Sequence, residues 1–208
     1  MPRPMFYSYT PADDSAAGLA DDVTYAGGGY VLTANDAGDT LAHIITILGN
    51  AATNHSGKTF TVTGTDSDNF SQTEGIAGPN GVATVSTTKY FKTVTSVTVS
   101  ATTGADSFDI GWTDVCIGPT VPLNRMETDF QVSLGVDIGG TINYTVQHCL
   151  RDIRAANPST LTWWPHSTLV SKTADTDGNY ASPVTATRIL INSSTSGATL
   201  NFQILQGT

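Results

Sequence analysis

The sequence predicts an all-β protein: two tandem antiparallel β-sandwich domains, Ig-like or jelly-roll-like, behind an extended N-terminal arm. Three observations predict it. The polar–apolar period is two over most of the chain, the pattern of strands with one face on a core and one in water. Turn signals separate these runs at Ser56-Gly57, Pro79-Asn80-Gly81, Gly139-Gly140 and Asp177-Gly178-Asn179. The pattern breaks at Ile117-Gly118-Pro119-Thr120-Val121-Pro122, where closely spaced prolines oppose ladder pairing and set a linker. The expected organisation is an arm over 1–18, a first sandwich over 19–118 and a second over 119–208.

In the arm, Pro2, Pro4 and Pro11 disfavour helix and sheet interior alike. Its aromatic residues would be wasted on a free tail, so it is expected to pack on its own domain or on a neighbouring subunit. Arg3, Phe6, Tyr7 and Tyr9 are the first contact candidates. Residues 42–48 are read as a strand rather than a helix, because Ile44, Ile45, Thr46 and Ile47 are β-branched, and are expected to form a hairpin with 58–65. Val94, Val97 and Val99 alternate with Thr and Ser, and Phe108, Ile110 and Trp112 share one face. Beyond the linker, 129–138 and 141–150 alternate cleanly around Gly139-Gly140 and read as a hairpin; 188–192 and 198–205 read as another. The halves look like copies: Tyr90 with Val94-Thr95 matches Tyr180 with Val184-Thr185, and each half ends in Phe-x-Ile, at Phe108 and at Phe202.

Composition excludes several functions. The 208 residues carry 9 Lys and Arg against 18 Asp and Glu, a net charge of −9, which opposes nucleic-acid or anionic-membrane partners. Only 13% of residues are charged; 34 Thr and 17 Ser supply the polarity, and Thr suits a pleated surface. No apolar run reaches the ~18 residues of a membrane span, and the opening MPRPMFYSYT has no apolar core of a secretory signal.

Catalytic and metal motifs are sparse. His43, His55, His148 and His166 form no HxH, HxxxH or HExxH spacing, and His148-Cys149 would face opposite sides of a strand. Cys116 and Cys149 fall one in each half; a bridge between the halves is geometrically possible, and free thiols are expected if the protein assembles in a reducing cytosol. Asp175-Thr176-Asp177-Gly178-Asn179 resembles the start of a calcium loop but lacks the closing Glu; Asp66-Ser67-Asp68-Asn69 is weaker. The Asn-x-Ser/Thr matches at Asn54, Asn69, Asn143 and Asn192 are expected by chance in so Thr-rich a chain. There is no GxSxG, GxxxxGK[ST] or GxGxxG. No catalytic residue, cofactor or metal is expected. Trp163-Trp164-Pro165 is the remaining feature: neighbouring strand residues face opposite ways, so burying one indole exposes the other as an interface anchor or a sugar platform.

FTVTGTDSDNFSQTEGIAGPNG (60–81) and STTKYFKTVTSVTVSATTG (86–104) resemble a recurrent block of virion structural proteins of tailed bacteriophages. VPLNRMETDFQVSLGVDIGGTINYTVQH (121–148) and DGNYASPVTATRILINSSTSGATLNFQILQG (177–207) resemble its companion. These blocks are strand-and-turn signatures and bring no catalytic residues; Asn69-Phe70-Ser71 departs from their plainer polar turn. The resemblance implies a capsid decoration, or cement, protein on the capsid exterior of the virion, assembled in the host cytoplasm. Its expected partners are the major capsid protein and further copies of itself, a trimer at a threefold axis being one closed form. Arg3, Phe6, Tyr7 and Tyr9, then Trp163 and Trp164, are the expected interface. A tail or head–tail connector component and a glycan- or receptor-binding module are the alternatives.

Overall fold

A computed structural model of the chain describes residues 3–124 and 130–207, Arg3 by its backbone alone. The fold is all-β, 56% strand, with antiparallel sheets. The Thr-rich alternation does what its period requires. Strand β5 (Thr59–Thr65) buries Phe60, Val62 and Gly64 and turns its threonines outward, and β16 (Thr199–Gln206) buries Leu200, Phe202, Ile204 and Gln206.

The chain divides into two compact units, and they are nested rather than consecutive. One, the inserted unit, is Asp13–Cys116; the other, the split unit, comprises residues up to Ala12 and from Ile117 onward. The inserted unit holds β2 (Ser15–Thr24), β3 (Gly29–Tyr30), β4 (Ala42–Gly49), β5, β6 (Ser71–Ala77), β7 (Thr84–Phe91), β8 (Thr93–Val99) and β9 (Ser107–Ile117). They pair in the orders β2-β9-β4-β7 and β3-β8-β5-β6. The split unit holds β1 (Arg3–Tyr9), β10 (Val121–Pro122), β11 (Val132–Gly139), β12 (Ile142–Cys149), β13 (Trp164–Pro165), β14 (Thr176–Tyr180), β15 (Ala186–Ser194) and β16. They pair as β1-β16-β11-β14 and β10-β15-β12-β13. Strand for strand, in chain order, the two pairing plans are the same.

The nesting revises the expected domain boundaries. The chain changes unit at Ala12/Asp13 and Cys116/Ile117, not at 18/19 and 118/119. Residues 3–9 are not a separate arm: all seven pair with β16, from Arg3↔Gln206 to Tyr9↔Leu200. An edge strand tolerates Pro4, and the alternation that buries Tyr9 points Phe6 outward. The expected linker is likewise structural, since Val121 and Pro122 pair with β15 and the Gly118 N–H donates to the Ile189 carbonyl at 3.0 Å.

Three expected hairpins are absent from the described residues. β4 pairs with β7 rather than β5; β11 pairs with β14 and β16 rather than β12; β15 and β16 lie in different sheets. In each unit a two-stranded ribbon instead changes sheet at a corner. β12/β15 continues as β11/β16 past Gly139-Gly140, and in the same way β5/β8 continues as β4/β9 past Asn50 and Ser100. Gly140, at φ 86°, takes the left-handed backbone that this corner needs. Asp177-Gly178-Asn179 is also not a turn but the middle of β14. A Cβ on Gly178 would sit 2.9 Å from Leu169 Cδ1, so packing rather than turning selects that glycine.

The inserted unit's core centres on three rings. Tyr30 and Phe60 are parallel at 5.7 Å, and Phe108 tilts onto them at 5.3 and 5.2 Å. Such pairs add about 0.5–1.5 kcal/mol beyond burial. The split unit buries Tyr144, Phe202, Leu134 and Ile142.

Candidate functional site

The six residues singled out from the sequence separate by environment. Tyr9 is buried, and burial first, with Tyr7 second, pushes its hydroxyl well above the usual tyrosine range. Tyr7 is half-buried; Phe6 is 62% exposed on edge strand β1. The Arg3 side chain lies outside the described residues. Trp163 serves its own unit: its Nε1–H donates to the Pro158 carbonyl at 2.9 Å, and the Arg188 guanidinium lies 4.1 Å over its ring. Arg188 Nε in turn donates to Gln147 Oε1 at 2.8 Å. Trp164 is 54% exposed on β13, opposite His148. Phe6 and Trp164 are therefore the two large aromatic side chains of the set offered to solvent, and each sits on the outermost strand of its sheet.

The histidines are tied into the fold. His43 places Nε2 2.8 Å from Asp39 Oδ2 and Nδ1 2.8 Å from the Thr113 carbonyl. His55 is bracketed by Asp106 Oδ2 at 3.0 Å and Lys58 Nζ at 3.0 Å. Because Lys58 can only donate, His55 Nδ1 accepts and Nε2–H faces Asp106. The Asp106 carboxyl is held below the usual range, most strongly by a hydrogen bond from Thr53 and then by His55. His166 donates from Nε2 to the Asn179 carbonyl at 3.1 Å and accepts at Nδ1 from the Thr168 N–H at 3.2 Å. His148 differs: its Nδ1 is buried with no hydrogen-bond partner among the described residues, and burial, then nearby His166, holds its imidazole below the usual value. Both His148 and His166 pack on Tyr180, at 5.3 and 5.0 Å between ring centres. Burial pushes the Tyr180 hydroxyl up to about 12.

Among the described residues no three His, Cys, Asp or Glu side chains are placed to hold a metal ion. The calcium-like segment is occupied otherwise: Thr176–Tyr180 is a strand, and Asp175 Oδ1 accepts from the Ile138 N–H at 2.8 Å. Asp66 organises the tip between β5 and β6, where Oδ1 accepts from the Asp68 and Phe70 N–H groups at 2.9 Å each. Asn69 adopts φ 66° there, and Phe70 is left exposed. Cys116 and Cys149 are free and buried. A small cavity in the inserted unit, lined by His43, Trp112 and Lys92 among others, measures about 10 Å³, roughly the room for one water.

The sequence reading missed the residues beside Phe6. Pairing sets Gln203 next to it and Gly135 beyond, with Leu205 and Ser133 on the adjoining row. The outward positions of the 129–138 alternation, Ser133, Gly135 and Asp137, were the available signal.

No family model matches the chain, and no curated protein matches it.

Proposed function

We propose that the chain is a non-enzymatic structural protein of a tailed-phage virion. It binds the outer surface of the capsid and reinforces contacts between major capsid protein subunits. It acts as a homo-oligomer assembled in the host cytoplasm, a trimer being the closed form that suits a threefold axis. It is built of two related β-sandwiches, the second completed by the N-terminal strand.

One observation carries this reading. The two exposed aromatic candidates, Phe6 and Trp164, stand on the outermost strands of the split unit's sheets. An edge strand presents backbone groups on one side, and an exposed aromatic beside it adds an anchor, the combination used to dock flat protein surfaces. Repeated over many identical copies, modest contacts sum by avidity to a firm clamp. The exposed Trp164 also favours a second reading, a glycan platform, because an indole face stacks on apolar sugar faces.

Quantitative mass spectrometry of purified virions, with heads and tails separated, tests the proposal. Hundreds of copies on heads are expected. About a dozen on tails would move the protein to a ring or connector, and absence from the particle would overturn the structural reading. Binding to a glycan array that disappears in Trp164→Ala would favour the second reading.

A further inference from the structure

The β1-β16-β11-β14 sheet has one face on the core and one open. Pairing sets three outward rows side by side: Pro4, Leu205, Ser133, Asn179; then Phe6, Gln203, Gly135, Asp177; then Ser8, Asn201, Asp137. A depression of about 470 Å³ lies over Gly135, walled by Pro4, Phe6, Leu205, Gln203 and Ser133. Phe6 is 62% and Leu205 46% exposed at its rim.

Gly135 is the informative residue, because the fold does not require it. A Cβ there would touch only Gln203 Cβ, at 3.7 Å, an ordinary contact, and the backbone is outside the left-handed region. Other strand glycines differ: a Cβ would meet the Thr93 carbonyl oxygen at 1.9 Å on Gly64 and the Ser15 carbonyl oxygen at 1.7 Å on Gly111. Glycine inside a strand is a cost to folding and often marks close approach by another molecule. Here its effect is to keep the depression open.

The charge around it is one-sided. Asp177 adjoins Gly135 across the ladder and Asp137 lies two residues along β11, while among the described side chains no outward position of the four strands is Lys or Arg. Gln203 Nε2 donates to Asp137 Oδ2, fixing that carboxylate at the rim. A chain of net charge −9 is itself a poor match for this face.

We infer that this face docks a partner protein that lays an apolar side chain over Gly135, between Phe6 and Leu205, and sets a lysine or arginine beside it against Asp137 and Asp177. The inference deepens the virion reading and rests on it for the partner's identity; the surface chemistry is testable alone. The ¹⁵N-labelled full chain is titrated with N-acetyl-Phe-Lys-amide and with N-acetyl-Phe-Glu-amide, following backbone amide shifts. Saturable shifts at Phe6, Gly135, Gln203 and Asp177 are expected with the lysine dipeptide, and about fivefold weaker binding with the glutamate one. Gly135→Leu, which fills the depression, should abolish the shifts while keeping a dispersed spectrum. Asp177→Asn should bring the lysine dipeptide toward the glutamate one.

Shifts that do not saturate, that are equal for both dipeptides, or that survive Gly135→Leu would overturn the inference. Concentration-dependent self-association abolished by Gly135→Leu would overturn it in favour of a second copy. High copy number on heads without dipeptide binding sinks this surface alone. Dipeptide binding by a protein absent from virions sinks the virion reading alone.

Discussion

The inserted and split units share one pairing plan and spend it differently. In the inserted unit the strand after β5 is a full partner: β6 pairs along all seven residues, from Thr59↔Ala77 to Thr65↔Ser71. Its Glu74 carboxylate reaches β7, accepting from the Thr88 N–H and Oγ1–H and the Lys89 N–H at 2.8–2.9 Å. In the split unit the equivalent strand, β13, pairs at only Gln147↔Pro165 and His148↔Trp164, and long loops surround it. β4 is buried along nearly its whole length on both faces, whereas its counterpart β11 leaves Ser133, Gly135 and Asp137 outward. With topology held constant, the departures from the common plan are the informative part. The split unit carries the exposed candidates Phe6 and Trp164 on edge strands, whereas the exposed aromatic of the inserted unit, Phe70, sits at a turn tip.

Three substitutions and a pH profile test this contrast between the units. The largest effect is expected from Phe108→Ala, which empties the ring cluster of the inserted unit and should cost about 3–5 kcal/mol in urea unfolding. If the units are independently stable, hydrogen exchange should quicken in β5 and β8 and leave β11 and β16 protected. Tyr9→Ala should do the reverse at about 3 kcal/mol, loosening β16 while β5 and β8 hold, because β1 belongs to the split unit. Exchange that rises mainly in the inserted unit would show that residues 3–9 support the wrong unit. Glu74→Gln keeps the shape but weakens the carboxylate's hydrogen bonds, with an expected loss of about 1 kcal/mol and faster exchange at Thr88 and Lys89.

Acid should separate the units without any mutation. The His148 imidazole is held below its usual 6.5, so the unfolded chain takes up a proton that the folded one resists. Stability is full above about pH 6.5 and falls as pH drops through the folded value, and His148→Gln should flatten that limb of a melting-temperature profile. Asp106, in the inserted unit, is held below its usual 3.8. Its contribution is full above that value and is lost only as pH falls through the still lower folded one. A profile whose limb below pH 6.5 persists in His148→Gln would assign the sensitivity elsewhere.

Strand identity was legible where the alternation is clean, and was missed at β1 and β14. The β-branched run Ile44–Ile47 reads as a strand against a helix, and it is β4, because χ1 crowding disfavours it in a helix whatever the neighbours. Trp163 is half-buried and Trp164 exposed, but only Trp164 lies in β13, so strand alternation does not account for the pair. The match of Tyr90 with Tyr180 and of Phe108 with Phe202 pointed to a repeat whose pairing plan the two units share. Partner choice was not legible. Phe130 to Ile138 and Ile142 to Val146 alternate equally well whether Gly139-Gly140 folds them back as a hairpin or turns them into separate sheets. Nor could local pattern say that Arg3–Tyr9 skips the unit that follows it and pairs with Thr199–Gln206.

Local pattern therefore set most of the strands and their inward faces and pointed to the repeat, because side-chain alternation and β-branching act within a few residues. The nesting, the sheet each strand joins and the open depression over Gly135 arise in the assembled fold. Those depend on which surfaces meet across the fold, and no local period encodes that.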